Sequence, residues 1–229
     1  MAMHKYVLID MNTQHDFLDP RGAVPVANRE ALLRHLRKIF ALSRTYHLPI
    51  VSAVDSHRED EAPQDGFPRH CVEGTTGERK LPFTLLQKRL FVEANNSLDL
   101  PKNLWKSNRQ IVFRRRTADF LDNPKADRLL SRLRPASLIL FGVGLERSIR
   151  RLALCLLARG FRVAFVPEAC GYWNETEGDL ARRLIIAKGG MELLLDDLED
   201  TFRNATRPRI TRIYSKAVDP TKCRRNIAG

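Results

Sequence analysis

The chain has 229 residues, 43% of them hydrophobic, and a formal net charge of +12. This length predicts one sizeable domain around a single core. No apolar run approaches the roughly 20 residues that a membrane-spanning helix needs, so we expect no such helix. The first apolar run, residues 6–9, is also too short for the core of a signal peptide, and we do not expect secretion.

Short apolar runs alternate with helical patterns, which is typical of a parallel sheet covered by helices on both faces. The predicted strands are residues 6–9, 49–54, 111–113, 137–141 and 162–166, and the predicted helices are residues 28–46, 123–133, 146–159 and 177–188. Residues 60–108 are mostly polar and are predicted to be a long loop. We therefore predict a three-layer α/β/α domain over residues 1–203, with a mainly parallel sheet of about six strands.

A basic tail is predicted over residues 204–229. From residue 203 onward, eight basic residues stand against the single acid Asp219. Such a segment is more typical of a solvated arm than of a dedicated nucleic-acid contact, and both interpretations stay open. The charge of the whole chain favours acidic or polyanionic partners, including nucleic acid.

The four cysteines are widely spaced and form no CxxC pair; they are Cys71, Cys155, Cys170 and Cys223. This spacing is typical neither of a disulfide framework nor of a zinc knuckle. We therefore expect a reducing compartment, most simply the cytoplasm.

The motif D-M-N-T-Q-H-D-F, residues 10–17, follows the first predicted strand. It resembles the D-x-Q-x-D-F opening of the nicotinamidase/isochorismatase-like cysteine hydrolases, in which the leading Asp accepts the catalytic proton. Matching the Gln, Asp and Phe of this motif places Asn12 at the position of that Asp. A rival alignment places Asp10 there, but it needs two inserted residues. The family stacks an aromatic ring on its substrate at the position of Phe17, which here is either such a platform or a pocket wall.

A second block resembles the metal-site segment of the same family. It consists of D-S-H, residues 55–57, and F-P-R-H-C-V-E-G-T-T-G, residues 67–77. The resemblance implies that a divalent ion, Zn²⁺ or Fe²⁺, is bound by Asp55, His57 and His70. Two histidines and a carboxylate suit either metal and leave positions open for water or a ligand. Each residue alone could be an ordinary polar loop residue, but their common register favours the metal site.

Two further blocks resemble the remaining catalytic segments. In F-R-R-R-T-A-D-F, residues 113–120, the position of the family's Lys is taken by Arg115. In L-F-G-V-G-L-E-R-S-I, residues 140–149, the position of the nucleophilic Cys is taken by Ser148. The resemblance also implies that the backbone amides of Gly144 and Ser148 form an oxyanion hole.

These substitutions remove the chemistry that a cysteine hydrolase needs. Its thiol must lose a proton to a carboxylate, and the neutral amide of Asn12 cannot accept one. The hydroxyl of Ser148 is far harder to deprotonate than a thiol with a pKa of about 8.5. The guanidinium of Arg115 stays charged up to a pH of about 12, so it cannot exchange protons as lysine does.

A surviving serine mechanism would need another base beside Ser148. Asp10 lies roughly 6.6 Å further back along the strand than Asn12, beyond hydrogen-bond reach. His15, in the following loop, is a second weak candidate. Vinyl-ether cleavage, as in isochorismatases proper, still relies on the leading Asp.

We therefore interpret the chain as a catalytically impaired member of this superfamily, a pseudoenzyme with a binding or assembly role. The alternatives are an active amidohydrolase with Ser148 as nucleophile and an RNA- or ribonucleoprotein-associated structural protein that acts through its basic surface. The resemblance to this family also implies that the protein is a homo-oligomer. Arginines at positions 114–116, 147, 150 and 151 follow predicted strand ends, where parallel sheets bind ligands, and they favour an anionic small molecule.

Overall fold

The computed structural model describes residues 5–62, 66–93, 95, 97–117, 119–133 and 136–206. The strands in these ranges are β1 (Tyr6–Met11), β2 (Ile50–Asp55), β3 (Arg89–Val92), β4 (Gln110–Arg115), β5 (Ser137–Val143), β6 (Arg162–Gly171) and β7 (Met191–Glu192). The α-helices are α1 (His15–Leu18), α2 (Arg29–Thr45), α3 (Leu104–Ser107), α4 (Pro124–Ser131), α5 (Arg150–Ala158), α6 (Glu175–Ala187) and α7 (Leu198–Thr206). Two 3₁₀ turns (Pro82–Thr84 and Phe120–Asp122) and one π-helical turn (Leu145–Ile149) complete the elements.

Within the described ranges, the strands form one seven-stranded sheet in the order β3-β4-β2-β1-β5-β6-β7. Every neighbouring pair is parallel. The predicted three-layer α/β/α architecture is confirmed, with seven strands instead of about six.

Helices cover both faces of the sheet and bury its central strands. In β1, Val7, Ile9 and Met11 belong to the apolar cluster that includes residues of α3, α4, α5 and α6. Leu8 points the other way and belongs to the cluster that includes α2 and α7. Because both faces are covered, the central strands are continuous apolar runs, and this is the pattern by which they were predicted.

The two strands that the sequence pattern missed are both short edge strands. β3 lies inside the segment predicted to be a loop, and only the last of its four residues, Val92, is buried. β7 has two residues, neither of them buried. A strand with so few buried side chains carries no hydrophobic period, so only its pairing with a neighbour identifies it.

Two predicted helices show how local signals succeeded and failed. The side chain of Asn123 accepts hydrogen bonds from the N–H groups of Lys125 and Ala126, at 3.0 and 3.4 Å, and Pro124 occupies the first turn. This capping confirms the predicted start of α4. The helix predicted over residues 146–159 instead begins as the π-helical turn, and α5 starts only at Arg150.

The predicted basic tail falls almost entirely outside the described residues, which end at residue 206. Helix α7 reaches Thr206, and the boundary placed after residue 203 stays a prediction. Among the described residues, no helix combines the length and hydropathy needed to cross a bilayer.

Candidate functional site

The candidate site lies where four neighbouring strands end. β4, β2, β1 and β5 are adjacent and parallel, so their carboxyl ends meet at one edge of the sheet. Asp55 and Arg115 end β2 and β4 and face each other in the ladder. Asn12 follows β1, and Ser148 lies in the π-helical turn after β5.

Asn12 turns the chain out of the sheet. Its φ of 54° lies in the left-handed region, which Asn tolerates better than most residues. Its amide Nδ2 donates to Asp55 Oδ2 at 3.1 Å, and its Oδ1 accepts from Arg115 Nη2 at 3.1 Å. A carboxylate on one side and a guanidinium on the other fix the orientation of the amide, because each permits only one role.

Arg115 contacts all three of the other polar side chains, Asn12, Asp55 and Ser148. Its Nη2 lies 3.0 Å from Ser148 Oγ and 2.9 Å from Asp55 Oδ1, in addition to its contact with Asn12. Its Nη1 donates to the carbonyl of Thr117 at 2.9 Å, and the residue is only 2% exposed. Its Nε is buried and has no hydrogen-bond partner in the described structure. Asp55 is therefore the counter-ion that makes burial of this permanent cation tolerable.

Ser148 is a hydrogen-bond acceptor in this site. Its Oγ receives the bond from Arg115 at 3.0 Å and the residue is 8% exposed. In the part of the chain that the structure describes, no carboxylate or imidazole accepts a hydrogen bond from this hydroxyl. The geometry brings the three predicted positions together without a proton acceptor for the serine.

In the turn that carries Ser148, one of the two backbone amides expected to form an oxyanion hole is already hydrogen-bonded. Gly144 has a φ of 90°, in the left-handed region. Its N–H donates to the carbonyl of Gly171 at 2.9 Å, where β5 and β6 meet. The oxyanion hole expected from Gly144 and Ser148 therefore lacks its Gly144 donor in this conformation, because that N–H is already paired within the sheet.

Asp10, the rival candidate for the catalytic acid, lies inside the sheet and is fully buried. Its Oδ2 is 2.6 Å from Lys80 Nζ and accepts from Ser52 Oγ at 2.7 Å. Its Oδ1 accepts from Thr13 Oγ1 at 3.0 Å, and Thr13 also contacts Lys80. Both oxygens are thus engaged away from Ser148.

His15, the second weak candidate, does not line the cavity at this site. Its Nδ1 lies 3.8 Å from Asp19. Neither of the alternative bases considered from the sequence reaches Ser148.

Three side chains beside this network form a group that could hold a metal ion. Asp55, His57 and His70 each offer a ligand atom, and these atoms lie within 4.8 Å of one another. Nδ1 of His57 lies 3.3 Å from a carboxylate oxygen of Glu61, and Nδ1 of His70 lies 2.8 Å from the carbonyl of Pro68. Such partners hold Nδ1–H and present Nε2 as a ligand, which is the usual arrangement of metal-binding histidines.

The donor set fits a divalent ion, but the carboxylate is shared. The Asp55 carboxylate already accepts a hydrogen bond from Asn12 and forms an ion pair with Arg115. Each carboxylate oxygen has a second lone pair, so ligation stays possible. The neighbouring guanidinium repels a second cation, and we therefore expect weaker metal binding than at a site with a free carboxylate.

Aromatic side chains close over the site. Phe17 packs against His70 and Trp173 at ring-centroid distances of 5.4 and 5.7 Å. Phe67 packs on Trp173 at 4.6 Å, and the guanidinium carbon of Arg147 lies 4.1 Å from the Phe67 centroid. The remaining cavity has a volume of about 30 Å³, which is space for a few waters. Phe17 is a buried wall of this cavity in the present conformation.

Four residues of the site were not predicted to contribute to it. Phe67, Trp173 and Thr117 line the cavity, and Glu61 orients His57. Trp173 follows β6, which extends five residues beyond the predicted strand, so its place at the carboxyl edge was hidden. The carboxylate four residues after His57 was the one available signal for Glu61.

Cys71 lies beside the metal group but is not poised as a nucleophile. Burial raises the pKa of its thiol well above the ordinary value, and the nearby carboxylates of Asp55 and Asp16 raise this pKa further. The thiol therefore stays protonated at neutral pH. Its φ of 49° and its backbone N–H bond to Asp16, at 2.6 Å, indicate a role in the turn.

Solved structures with the same fold include several amide hydrolases. A nicotinamidase/pyrazinamidase from Bacillus subtilis is 18% identical, with a TM-score of 0.65 over 82% of this chain and 98% of that one. A pyrazinamidase from Pyrococcus horikoshii, in complex with zinc, is 20% identical, with a TM-score of 0.63 over 83% and 99%. An isochorismatase-like hydrolase from Alkaliphilus metalliredigens is 17% identical, with a TM-score of 0.70 over 86% and 99%. At these identities the likeness shows the fold.

Sequence comparison gives the family more directly. No curated protein sequence matches the chain. The family model described as the isochorismatase domain matches residues 6–191, which include every candidate residue of the site. The chain therefore belongs to the isochorismatase domain family.

Proposed function

We propose that this protein is a pseudoenzyme of its family, which keeps the hydrolase fold and pocket but does not hydrolyse amides. In this proposal Asn12, Arg115 and Ser148 stand in place of a catalytic Asp, Lys and Cys. The remaining role is binding or assembly, with a homo-oligomer and an anionic ligand as expected partners.

The hydrogen bonds of Arg115 carry the proposal. This guanidinium donates to Ser148 Oγ at 3.0 Å and to Asn12 Oδ1 at 3.1 Å. An amide and a permanently charged guanidinium cannot take a proton from the serine. Nucleophilic catalysis by a hydroxyl depends on an adjacent base, so the serine remains a neutral alcohol at physiological pH.

The surroundings of Ser148 support the same conclusion. The Gly144 N–H, which would stabilise an oxyanion, is bonded to Gly171. The cavity of about 30 Å³ is too small for a pyridine-ring amide unless the aromatic side chains above it move. Loss of one oxyanion donor costs an active hydrolase a factor of about 10²–10³ in turnover.

We include a divalent ion, Zn²⁺ or Fe²⁺, in this proposal, with Asp55, His57 and His70 as its ligands. The donor types, their mutual approach within 4.8 Å and the zinc complex of the Pyrococcus pyrazinamidase support it. When bound, such an ion supplies a Lewis acid and an attachment point for an anionic or carbonyl ligand. The chain's own contribution is to orient both imidazoles through Glu61 and Pro68 and to balance the charge of Arg115 with Asp55.

A panel of amides tests the proposal directly. Purified protein, with and without added Zn²⁺, is incubated with nicotinamide, pyrazinamide and N-carbamoylsarcosine, and ammonia release is compared with that of Ser148→Ala. We expect both proteins to match the buffer blank. Turnover that is lost in Ser148→Ala, or an acyl adduct on Ser148 in the mass spectrum, would overturn the proposal in favour of an active amidohydrolase.

Restoring the chemistry provides the converse test. The triple variant Asn12→Asp/Arg115→Lys/Ser148→Cys should gain measurable ammonia release, because a carboxylate can then take the proton of a thiol. The single variant Ser148→Cys is the matched control and should stay inactive. An inactive triple variant that folds normally would show that these three side chains do not account for the loss.

A further inference from the structure

A second cavity lies at the opposite edge of the sheet from the candidate site. It sits beside the amino-terminal ends of β2, β3 and β4 and has a volume of about 650 Å³. Its walls come from the end of α2, the turn before β2, and the segments that precede β3 and β4. We call it the amino-edge cavity. Its size falls within the range of about 300–1,000 Å³ that is typical of small-molecule sites.

The lining of the amino-edge cavity is basic, and no carboxylate of the described residues belongs to it. Arg44, Lys88 and Arg109 are its fixed cations, and His47 adds an imidazole. In the described part of the chain, none of these four side chains forms an ion pair. Cations that gather around one cavity repel one another, so a bound anion would relieve an existing cost.

The two arginines are held in place and still have donors to offer. Arg44 Nη2 donates to the carbonyl of Phe83 at 2.6 Å, and Arg109 Nη1 donates to the carbonyl of His47 at 3.1 Å. A guanidinium has five N–H donors. Most of them therefore remain for a ligand, on side chains whose positions the backbone has already fixed.

The floor of the cavity indicates what else the ligand contains. Leu48 and Leu86 are buried beneath it and Leu85 is half-buried. Among the described residues, no Phe, Tyr or Trp side chain lines it, and the imidazole of His47 is the one ring there on which a nucleic-acid base could stack. A concave basic site with a leucine floor suits a small anion that carries an apolar part.

We propose that the amino-edge cavity binds a small phosphorylated molecule, with two or more anionic phosphate oxygens held by Arg44, Lys88 and Arg109. Arginine is the side chain best matched to phosphate, because its planar fork can bond two oxygens at once. This binding does not involve the chemistry of Ser148, and it stands or falls separately from the pseudoenzyme proposal.

Calorimetric titration of the full chain tests the site, with inorganic pyrophosphate, ADP and adenosine as probes. Lys88→Glu is the test variant, because the exposed Lys88 side chain makes no hydrogen bond or ion pair with any described residue that the reversal would remove. Lys188→Glu is the matched control, since it reverses the same charge on an exposed lysine that follows α6 and does not line the cavity. Ser148→Ala serves as the control for the candidate site.

We expect pyrophosphate and ADP to bind with one site per chain, adenosine not to bind, and Lys88→Glu to weaken binding at least about tenfold. Lys188→Glu and Ser148→Ala should bind as the wild type does. The proposal fails if neither phosphate binds at low salt, if adenosine binds as well as ADP, or if both charge reversals weaken binding equally. A single-stranded RNA that binds while both small phosphates do not would equally contradict it, and would indicate a nucleic-acid surface.

Discussion

Two buried ion pairs involve carboxylates of neighbouring strands. One pair is enclosed within the domain at β1, and the other lies at the carboxyl edge of the sheet, at the ends of β2 and β4. Asp10 and Lys80 are 2.6 Å apart, and both are nearly inaccessible. Asp55 and Arg115 are 2.9 Å apart and border the cavity of the candidate site. The inner pair is enclosed by hydroxyl groups, whereas the outer pair leaves Arg115 Nε without a partner.

The difference between the pairs supports the proposal that this chain does not hydrolyse amides. A carboxylate and an amine that can exchange protons are both present, as Asp10 and Lys80. Asp10 lies two residues before Asn12 along the chain, and its oxygens bond Lys80, Ser52 and Thr13 instead of Ser148. At the edge, where the serine lies, the cation is the guanidinium of Arg115. Proton transfer requires direct hydrogen-bond contact, so on this proposal Asp10 and Lys80 cannot supply the proton transfer that Ser148 would need.

The largest expected effect comes from breaking the inner pair. Lys80→Met leaves the Asp10 carboxylate buried without its counter-ion, which costs about 3–5 kcal/mol of the free energy of unfolding. Urea denaturation measures this loss. The double variant Asp10→Asn/Lys80→Met should recover most of it, because it removes both charges together. A loss below about 1 kcal/mol for the single variant would mean that water reaches Asp10.

Breaking the outer pair should cost less and should change metal binding. Arg115→Met removes hydrogen bonds to one charged and three polar groups, for an expected loss of about 1.5–3 kcal/mol of stability. Without the guanidinium beside Asp55, Zn²⁺ affinity should rise about tenfold in a chelator competition assay.

The controls for this variant are a neighbouring arginine and a ligand. Arg114→Met removes a more exposed arginine at the same strand end and should leave zinc affinity nearly unchanged. His70→Ala should abolish binding at the site. Equal zinc affinity in Arg115→Met and the wild type would contradict the view that Arg115 weakens the site.

The smallest expected effect is a pH dependence that the inner pair can produce and the outer pair cannot. Burial lowers the pKa of Lys80 below its ordinary value of 10.5, and the charge of Asp10 offsets part of this shift. Between the lowered pKa and 10.5, unfolding takes up a proton, so the free energy of unfolding rises with pH by up to about 1.4 kcal/mol per unit. Arg115 stays charged throughout and adds no slope.

Stability measured between pH 8 and 10.5 checks this prediction. The rise of the free energy of unfolding with pH that is attributed to Lys80 should disappear in Asp10→Asn/Lys80→Met, because this variant has no amine at position 80. Identical slopes in the wild type and the double variant would show that the Lys80 ammonium is not desolvated as its burial indicates.

Local sequence patterns predicted the core of the fold and the neighbourhood of the site. The central strands were found because burial on both faces makes them continuous apolar runs, as in β1. The capping pattern at Asn123 gave the start of α4. Asn12, Arg115 and Ser148 were found by register within motifs, and the structure places Arg115 in hydrogen-bond contact with both Asn12 and Ser148.

What the patterns missed depends on contacts between distant segments. Strand β3 has almost no buried side chains and is recognisable only by its pairing with β4. Lys80 was not considered at all, because it lies 70 residues from the carboxylate that it neutralises. The use of the Gly144 amide by Gly171 could not be foreseen either, since β6 was predicted to end five residues earlier.

The sequence by itself determined the layered α/β/α fold, the family, and which types of side chain stand at the ends of the strands, because hydrophobic period and motif register are local properties. Only the tertiary structure decided which of those side chains touch. The tertiary structure pairs Asp10 with Lys80 and brings Arg115 into contact with Asp55 and Ser148. It also brings Arg44, Lys88 and Arg109 together around the amino-edge cavity. Hydrogen bonds and ion pairs act over a few ångströms, so partners far apart in the chain are fixed only once the packing of the whole domain is known.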